Sequence, residues 1–537
     1  MTRHGQDRSV QRRRARWTPS RCVPPPALAG SERRGVVPMR LRARLRSAVV
    51  LFVLASVAGC FETESAPPAP RHVVFVLLDT LRADHVGAYG YYRDTTPAID
   101  ALASQGVLFE DVVAQSSWTQ PSVASMMTSR YPSEVGADYK FSVLPDDVET
   151  LAEHLSDAGY RTRAVVTNPH TDPSLGLMQG FERVEIEAAA PADWVVDRAI
   201  EMLDGYVEAA SDDPLFLYLH FMDVHSPLEP PAPYDTMFGP AREPKAELAH
   251  RRYLLPRSRR DDREYVEGAM ERSIELYDGA LRFADDQVAR LLRHLESLGL
   301  AEESLIVVTS DHGEMHWEHT EVERAFRMRA ADKFIGVGHG HALFPELVHV
   351  PLVLRVPGGD PGRRISAMVR SLDLVPTLLA LLDVAPMEGA RGRDALARRP
   401  DDVRDASVAL SRTRSNAAEH VALRDGDLVL VRIRDDELLW DWSDPDLHDL
   451  STGRPAEKER LAARLDGVEA SIERRVPTQY EIPPELIPLF EALGYVATTP
   501  AERAAPKEPA RPEVPEEPEE PDATSDGTAE GAEANRE

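Results

Sequence analysis

The sequence predicts an α/β protein with a mostly parallel central sheet flanked by helices and a small C-terminal antiparallel sheet subdomain. Three observations carry that expectation. Continuous apolar runs of strand length recur at His72–Leu78, at residues 214–221 (PLFLYLHF) and at 304–310 (SLIVVTS), the pattern of strands buried on both faces of a parallel sheet. Helical spacing with start signals fills the intervals, at residues 95–103, 148–159 and about 262–298. The first and third runs are followed at once by Asp79 and by Asp311-His312, and open α/β sheets hold their ligands at the C-terminal ends of strands.

Taken in order, residues 1–38 are rich in Arg and Pro, lack apolar periodicity, and read as a disordered or non-native upstream segment, with translation expected to begin at Met39. Residues 39–60, MRLRARLRSAVVLFVLASVAGC, join a basic stretch, a short apolar core and small residues, which is a secretory signal and too short to span a membrane. Its ending, Val57-Ala58-Gly59-Cys60, resembles the lipobox of bacterial lipoproteins, so Cys60 is expected to carry a lipid anchor at a bacterial envelope membrane, periplasmic or outer-surface. A linker at 61–70 leads to a main domain at 71–400 and a subdomain at 401–497, where short strands surround an Asp-Gly turn (VALRDGDLVLVRI). Residues 498–537 form an acidic, Pro- and Glu-rich tail with almost nothing to bury and are expected to be disordered.

Composition narrows the function. The 537 residues are 42% hydrophobic, enough for a large core, and the net charge of −28 argues against nucleic acid as a partner. An anionic substrate must therefore be drawn in by local groups or by metal. Of the two cysteines, Cys22 and Cys60, neither lies in the body of the chain, which removes both a disulfide framework and a thiolate metal site.

The stretch 116–130, SSWTQPSVASMMTSR, organises the chemistry. Pro121 suits a first helical turn, so Thr119 stands at or near a helix N-terminus, where free N–H groups and the dipole favour phosphate or sulfate. Helix capping alone accounts for such a threonine, and a turn accounts for one aspartate. Two aspartates, one histidine and one hydroxyl at one sheet edge instead make an oxygen-rich ligand set with one nitrogen.

With these residues in place the chain resembles the sulfatase-like branch of the alkaline phosphatase superfamily over about 71–475. The motifs are VLLDTLRADHVGAYGY from Val76, TTPAIDALASQGVLFEDVVA from Thr95, WTQPSVASMMTSRYP from Trp118, TLAEHLSDAGYRT from Thr150, LYLHFMDVHSPLEPP from Leu217, VVTSDHGE from Val307 and GHGHALFPELVHVPLVLRVPG from Gly338, all in family order. The resemblance implies a metal held by Asp79, Asp311, His312 and the Thr119 oxygen, with His225 and His339 as catalytic residues contacting substrate oxygens or the leaving group. Asn168, His170 and His341 are expected on the substrate, although His339 aligns better than His341. His220 is read as structural, Asp223 as an open candidate for a second ion, and His316 and His319 as the weakest candidates. The basic insertion 323–336, ERAFRMRAADKFIG, reads as a lid or a substrate-selecting loop.

The departures from the family are informative. Sulfatases carry C-x-P-S-R with Cys or Ser converted to formylglycine; here the stretch reads T-Q-P-S-V, so no formylglycine is expected at Thr119. The G-K-W-H motif reads Thr167-Asn168-Pro169-His170, without its lysine, and Thr80 stands where sulfatases have a second aspartate. The set resembles phosphodiesterases and phosphoethanolamine transferases of the superfamily, which implies zinc or manganese, with calcium possible. The expected function is a metal-dependent ester hydrolase acting through Thr119 on phospho(di)esters, on a small, lipid or glycan substrate. The alternatives are a sulfuric ester hydrolase, a phosphoethanolamine-type transferase, and a catalytically silent protein that binds an anionic glycan or lipid. From the lipobox follows one outcome: Cys60→Ser is expected to shift the protein into the soluble envelope fraction, and membrane retention of that variant refutes the anchor.

Overall fold

The computed structural model describes residues 69–242, 263–325, 336–397, 408–414 and 419–482, with Ile487 and Phe490. The chain divides into two units, Met1–Ala66 and Pro67–Glu537, and the described residues belong to the second. The signal sequence, Cys60, most of the linker, part of the basic insertion and the acidic tail lie outside the described residues. No helix among the described residues is long and apolar enough to cross a membrane.

The central sheet has eight strands: β1 (His72–Leu78), β2 (Val107–Phe109), β3 (Arg161–Val166), β4 (Arg183–Ile186), β5 (Leu215–Phe221), β6 (Ser304–Thr309), β7 (Leu352–Arg355) and β8 (Arg363–Ile365). Their order is β8-β2-β7-β6-β1-β5-β3-β4. β1 runs parallel to both β5 and β6, β3 is parallel to β5 and β4, and β8 to β2. Only β7 opposes its neighbours. The three apolar runs of the sequence are thus the three central strands, and every residue of β1, β5 and β6 is buried. Alternate residues of β1 feed two cores: Val73, Phe75 and Leu77 face one layer, Val74, Val76 and Leu78 the other.

Helices cover both faces. Helix α1 (Pro97–Gln105) opens with a proline, and α2 (Thr119–Thr128) is buried along its whole length. α3 (Leu151–Asp157) starts with a reciprocal capping box between Thr150 and Glu153, as S/T-x-x-E sequences allow. α4 (Ala192–Glu208) and the long α5 (Arg263–Ser297) contribute Val195, Val196, Leu276 and Leu281 to one layer; α2 and α3 supply Val123, Met126, Leu151 and Leu155 to the other.

Toward the C-terminal end, β9 (Val408–Arg414), β10 (Glu419–Asp425), β11 (Leu428–Ile433) and β12 (Asp436–Asp441) form a four-stranded antiparallel meander. The Asp-Gly turn is where the sequence placed it: Asp425 pairs with Leu428 across Gly426, whose φ of 63° suits glycine. A helix at Pro455–Ala470, buried at Leu461 and Leu465, completes the layer. The strand-only reading of this stretch overlooked its N1 proline and its i,i+4 leucine pair.

Beneath the sheet edge, Asp278 of α5 is fully buried and gathers the loop after β1. It contacts His85 Nδ1 at 2.7 Å and accepts from the Tyr91 hydroxyl at 2.7 Å and Arg93 Nη1 at 2.6 Å. Asp278→Ala leaves these groups without their acceptor and is expected to lower stability by about 3 kcal/mol in denaturant unfolding. A loss below about 0.5 kcal/mol refutes this anchoring role.

Candidate active site

Asp79 follows β1 and Asp311 follows β6, its immediate neighbour, so adjacent strand ends deliver two fully buried carboxylates to one spot. The Asp79 N–H donates to Phe221 O of β5 at 2.9 Å, which extends the sheet to the aspartate itself. Thr80 next to it has φ of 60°, a left-handed conformation costly for a β-branched residue. That turn brings the Thr80 N–H to 3.4 Å from Asp311 Oδ1, while the Tyr277 hydroxyl donates to Thr80 O at 2.7 Å. Gly313 has no room for a side chain, since a Cβ there would lie 2.0 Å from Glu346 O; the D-H-G turn is pressed against that backbone.

Thr119 is the first residue of α2. Trp118 holds the cap position without a side-chain hydrogen bond, so the Thr119 hydroxyl is not spent on capping. Its Oγ1 lies 3.3 Å from His312 Nε2 and 3.4 Å from Asp79 Oδ2. His312 Nε2 is 3.3 Å from Asp311 Oδ2 and 3.6 Å from Asp79 Oδ1, and its ring is aimed by Nδ1 donating to Gly313 O at 2.9 Å.

This donor set fits a divalent cation. Asp79 Oδ1 and Asp311 Oδ2 are buried with no hydrogen-bond partner among the described residues, and Asp79, Asp311 and His312 offer ligand atoms within 4.8 Å of one another. Burial works against a charged Asp79, but the hydrogen bond with His220 and the nearby His225 and His312 hold it well below the usual carboxylate range. Burial and the charge of Asp79 push Asp311 upward. Two carboxylates at this depth repel each other, and a dication with an imidazole ligand offsets that repulsion.

Asn168, at the position of the missing lysine, reaches inward: its Nδ2 donates to Asp79 Oδ2 at 2.5 Å and to Thr119 Oγ1 at 3.2 Å. Its Oδ1 accepts from His170 N at 2.8 Å, which fixes the amide orientation. His170 is fully buried, stacked on Phe141 at 5.2 Å and edge-on to Trp118 at 5.8 Å. Burial, then the charge of Lys140, push it down to about 3, so it is a neutral imidazole.

His225 and His339 stand side by side, ring centroids 4.9 Å apart, and His339 lies 4.5 Å from the His312 ring. His225 Nδ1 donates to Ser226 O at 2.6 Å, and burial lowers the ring to about 4. His339 Nδ1 faces the buried Glu314 carboxylate at 3.3 and 3.4 Å. His341 points elsewhere: it is engaged by Glu323 and by His339 O, so the geometry gives it a structural tie in place of the expected substrate contact. Asp223, the open candidate for a second ion, accepts from Ala192 N at 3.0 Å at the start of α4, a helix-supporting task.

Glu314 and Glu323 escaped the sequence reading, and His220, read there as structural, holds Asp79 itself. His220 Nε2 lies 3.1 Å from Asp79 Oδ2, with the Tyr218 hydroxyl 3.2 Å from its Nδ1. The available signal was a histidine inside an otherwise buried strand, which must find a polar partner. Glu314 and Glu323 gave no comparable signal, because acidic residues in loops and short helices are ordinarily solvated.

The model of the family described as Sulfatase matches residues 71–384. The chain belongs to the sulfatase family. Membership places it among ester hydrolases. The protein named Uncharacterized sulfatase YidJ, from Escherichia coli (strain K12), is 25% identical over 375 residues, covering 60% of this chain and 70% of its own. The Ulvan-active sulfatase of Formosa agariphila is 24% identical over 390 residues, 66% of this chain and 71% of that one. Among solved structures, phosphonate monoester hydrolase SpPMH from Silicibacter pomeroyi matches with a TM-score of 0.60 at 22% identity, covering 75% of this chain and 96% of that chain. At that identity the likeness establishes the shared fold.

A metal consequence follows from the unpartnered oxygens. Asp311→Ala is expected to lower bound divalent metal from about one equivalent to under about a tenth by elemental analysis. In wild-type protein, metal at about 100 times its Kd is expected to add about 2.7 kcal/mol and raise the melting temperature by a few degrees. Undiminished metal in the variant refutes the assignment.

Proposed function

We propose that the chain is a metal-dependent ester hydrolase in which Thr119 is the nucleophile and phosphodiesters react faster than sulfate esters. The observation that carries this reading is the placement of Thr119 Oγ1, at a helix N-terminus, not used as a cap, and within 3.4 Å of His312, Asp79 and Asn168 together. Asp79, Asp311, His312 and the Thr119 oxygen would hold the ion, with zinc or manganese favoured by the imidazole. When bound, such an ion polarises the ester and lowers the pKa of a ligated hydroxyl.

The side chains then divide the work. Thr119 Oγ1 forms the bond to phosphorus while the bond to the departing oxygen breaks, and Asp79 Oδ2, 3.4 Å away, is an acceptor placed for the hydroxyl proton. The α2 N-terminus donates to the ester oxygens as charge builds, and the Asn168 amide, whose two N–H groups meet Asp79 and Thr119, holds the nucleophile in place. His339, oriented by Glu314, gives the leaving oxygen its proton, and His225 contacts the same group from the neighbouring position. Water then attacks phosphorus and passes a proton to His339, the phosphothreonine bond breaks, and Thr119 takes back the proton held at Asp79.

One feature favours phosphoryl over sulfuryl chemistry. A formylglycine enzyme discharges sulfate by collapse of a sulfated geminal diol to the aldehyde, a route closed to threonine, whose Cβ carries a single oxygen. Asn168, a neutral donor at the family's lysine position, suits a singly charged ester, whether phosphodiester or sulfate, better than a dianionic phosphomonoester. The second reading, sulfate-ester hydrolysis, is supported by the relatives, which are named as sulfatases, the Formosa agariphila protein as ulvan-active. A small, glycan or lipid ester fits either reading, presented at an envelope membrane through Cys60.

The deciding measurement is kcat/KM on matched aryl phosphodiester, phosphomonoester and sulfate ester. Phosphodiester is expected to lead sulfate by at least about tenfold, and Thr119→Ala to lose about 10³-fold. Mass spectrometry is expected to find unmodified threonine at 119. Preference for sulfate overturns the substrate assignment, and wild-type rates in Thr119→Ala overturn the nucleophile.

A further inference from the structure

Glu323 lies in the six-residue helix α6 (Thr320–Ala325), on the surface by its position in sequence, yet it is 1% exposed. Both of its oxygens are engaged. Oε2 accepts the Gly336 N–H at 2.6 Å, thirteen positions along the chain, and Oε1 meets His341 Nε2. Gly336 and His341 are the two ends of the segment that carries His339. Inside that segment Val337–Gly338 pairs with Met315–His316, just past the Asp311-His312 turn. The Gly340 N–H donates to Ser117 O at 2.7 Å, two residues before the nucleophile, and Gly340 has a φ of 75° and lies against Trp118. His341 Nδ1 closes back on His339 O at 3.1 Å.

We propose that Glu323 is a positioning residue: one buried carboxylate pins both ends of residues 336–341 and thereby aims the His339 ring at the leaving-group side of the site. This rests on the role given to His339 above. Removing the carboxylate breaks the ties at the Gly336 amide and at His341 Nε2 at once, while the pairing with 315–316, the Trp317 N–H bond to Gly336 O, the Glu314 contact of His339 and the bond to Ser117 O remain. The His339 backbone then samples more orientations, and proton delivery suffers while metal binding and nucleophile placement do not. A proton donor matters most when the departing oxygen is basic, so the defect should grow with leaving-group pKa.

Two readouts on the full chain test this. In hydrogen-exchange mass spectrometry, Glu323→Ala is expected to speed exchange in peptides covering 336–341 by at least about fivefold while peptides covering 72–78 stay unchanged. Unaltered exchange at 336–341 overturns the clamp, whatever the activity. In kinetics on aryl phosphodiesters, Glu323→Ala is expected to lose about 100-fold in kcat on a phenyl ester and under about tenfold on a 4-nitrophenyl ester, with KM and metal content near wild type. Equal losses on both esters, or loss through KM alone, mark a merely structural residue and overturn the proposal. Should the alanine variant not fold, Glu323→Gln and His341→Gln weaken and break the same tie and are held to the same outcomes. If wild-type protein turns over no phosphodiester, the functional reading fails, and the exchange result still decides whether the clamp exists.

Discussion

Two buried carboxylates on neighbouring parallel strands set the terms for the rest of this molecule. Asp79 and Asp311 are fully buried, and among the described residues each keeps one oxygen without a hydrogen-bond partner. In water such oxygens would be solvated; inside the protein their mutual repulsion is a standing cost unless a cation fills the space between them. The imidazole of His312 and the hydroxyl of Thr119 close that space from two further sides. A strained residue, Thr80, is tolerated beside it because Tyr277 and Asp311 both bond its backbone.

Around this pair the fold supplies a graded set of supports. His220 and Asn168 share Asp79 Oδ2 at 3.1 and 2.5 Å, so the oxygen that does not point at the cation position is held from two directions. Further out, carboxylates act on histidines: Glu314 on His339, Glu323 on His341. A ring held at one nitrogen has a defined tautomer and direction, which a site with several imidazoles needs if each is to do one job. In the C-terminal sheet His420 of β10 is fully buried, and burial, then the neighbouring His341, push it down to about 3.

The departures from the family motif have a coherent structural outcome. Where the family has a lysine, Asn168 is a neutral donor that touches both Asp79 and the nucleophile. Losing the second aspartate leaves Thr80, whose backbone N–H, not a side chain, faces Asp311. Charge has been removed from both the metal side and the anion side of the pocket, so the balance between them survives with fewer ions.

The sequence by itself determined the layout of the fold and the identity of its deepest residues. Runs such as HVVFVLL can be satisfied only by burial on both faces, and an aspartate directly after such a run has nowhere to go but the sheet edge. Family order in the motifs then named Thr119, His312 and their neighbours without coordinates. The tertiary structure decided what long-range contact alone can decide. His220 looked like a strand residue until parallel register set it opposite Leu77 and within reach of Asp79. His341 stood second to His339 in the sequence, and the structure gives its ring to Glu323. The helix at Pro455–Ala470, legible in its proline and leucine spacing, was overlooked among the strands around it. Periodicity reports which side of an element is buried, a local property of the chain, whereas the partner of a buried polar group is fixed by packing between segments far apart in sequence.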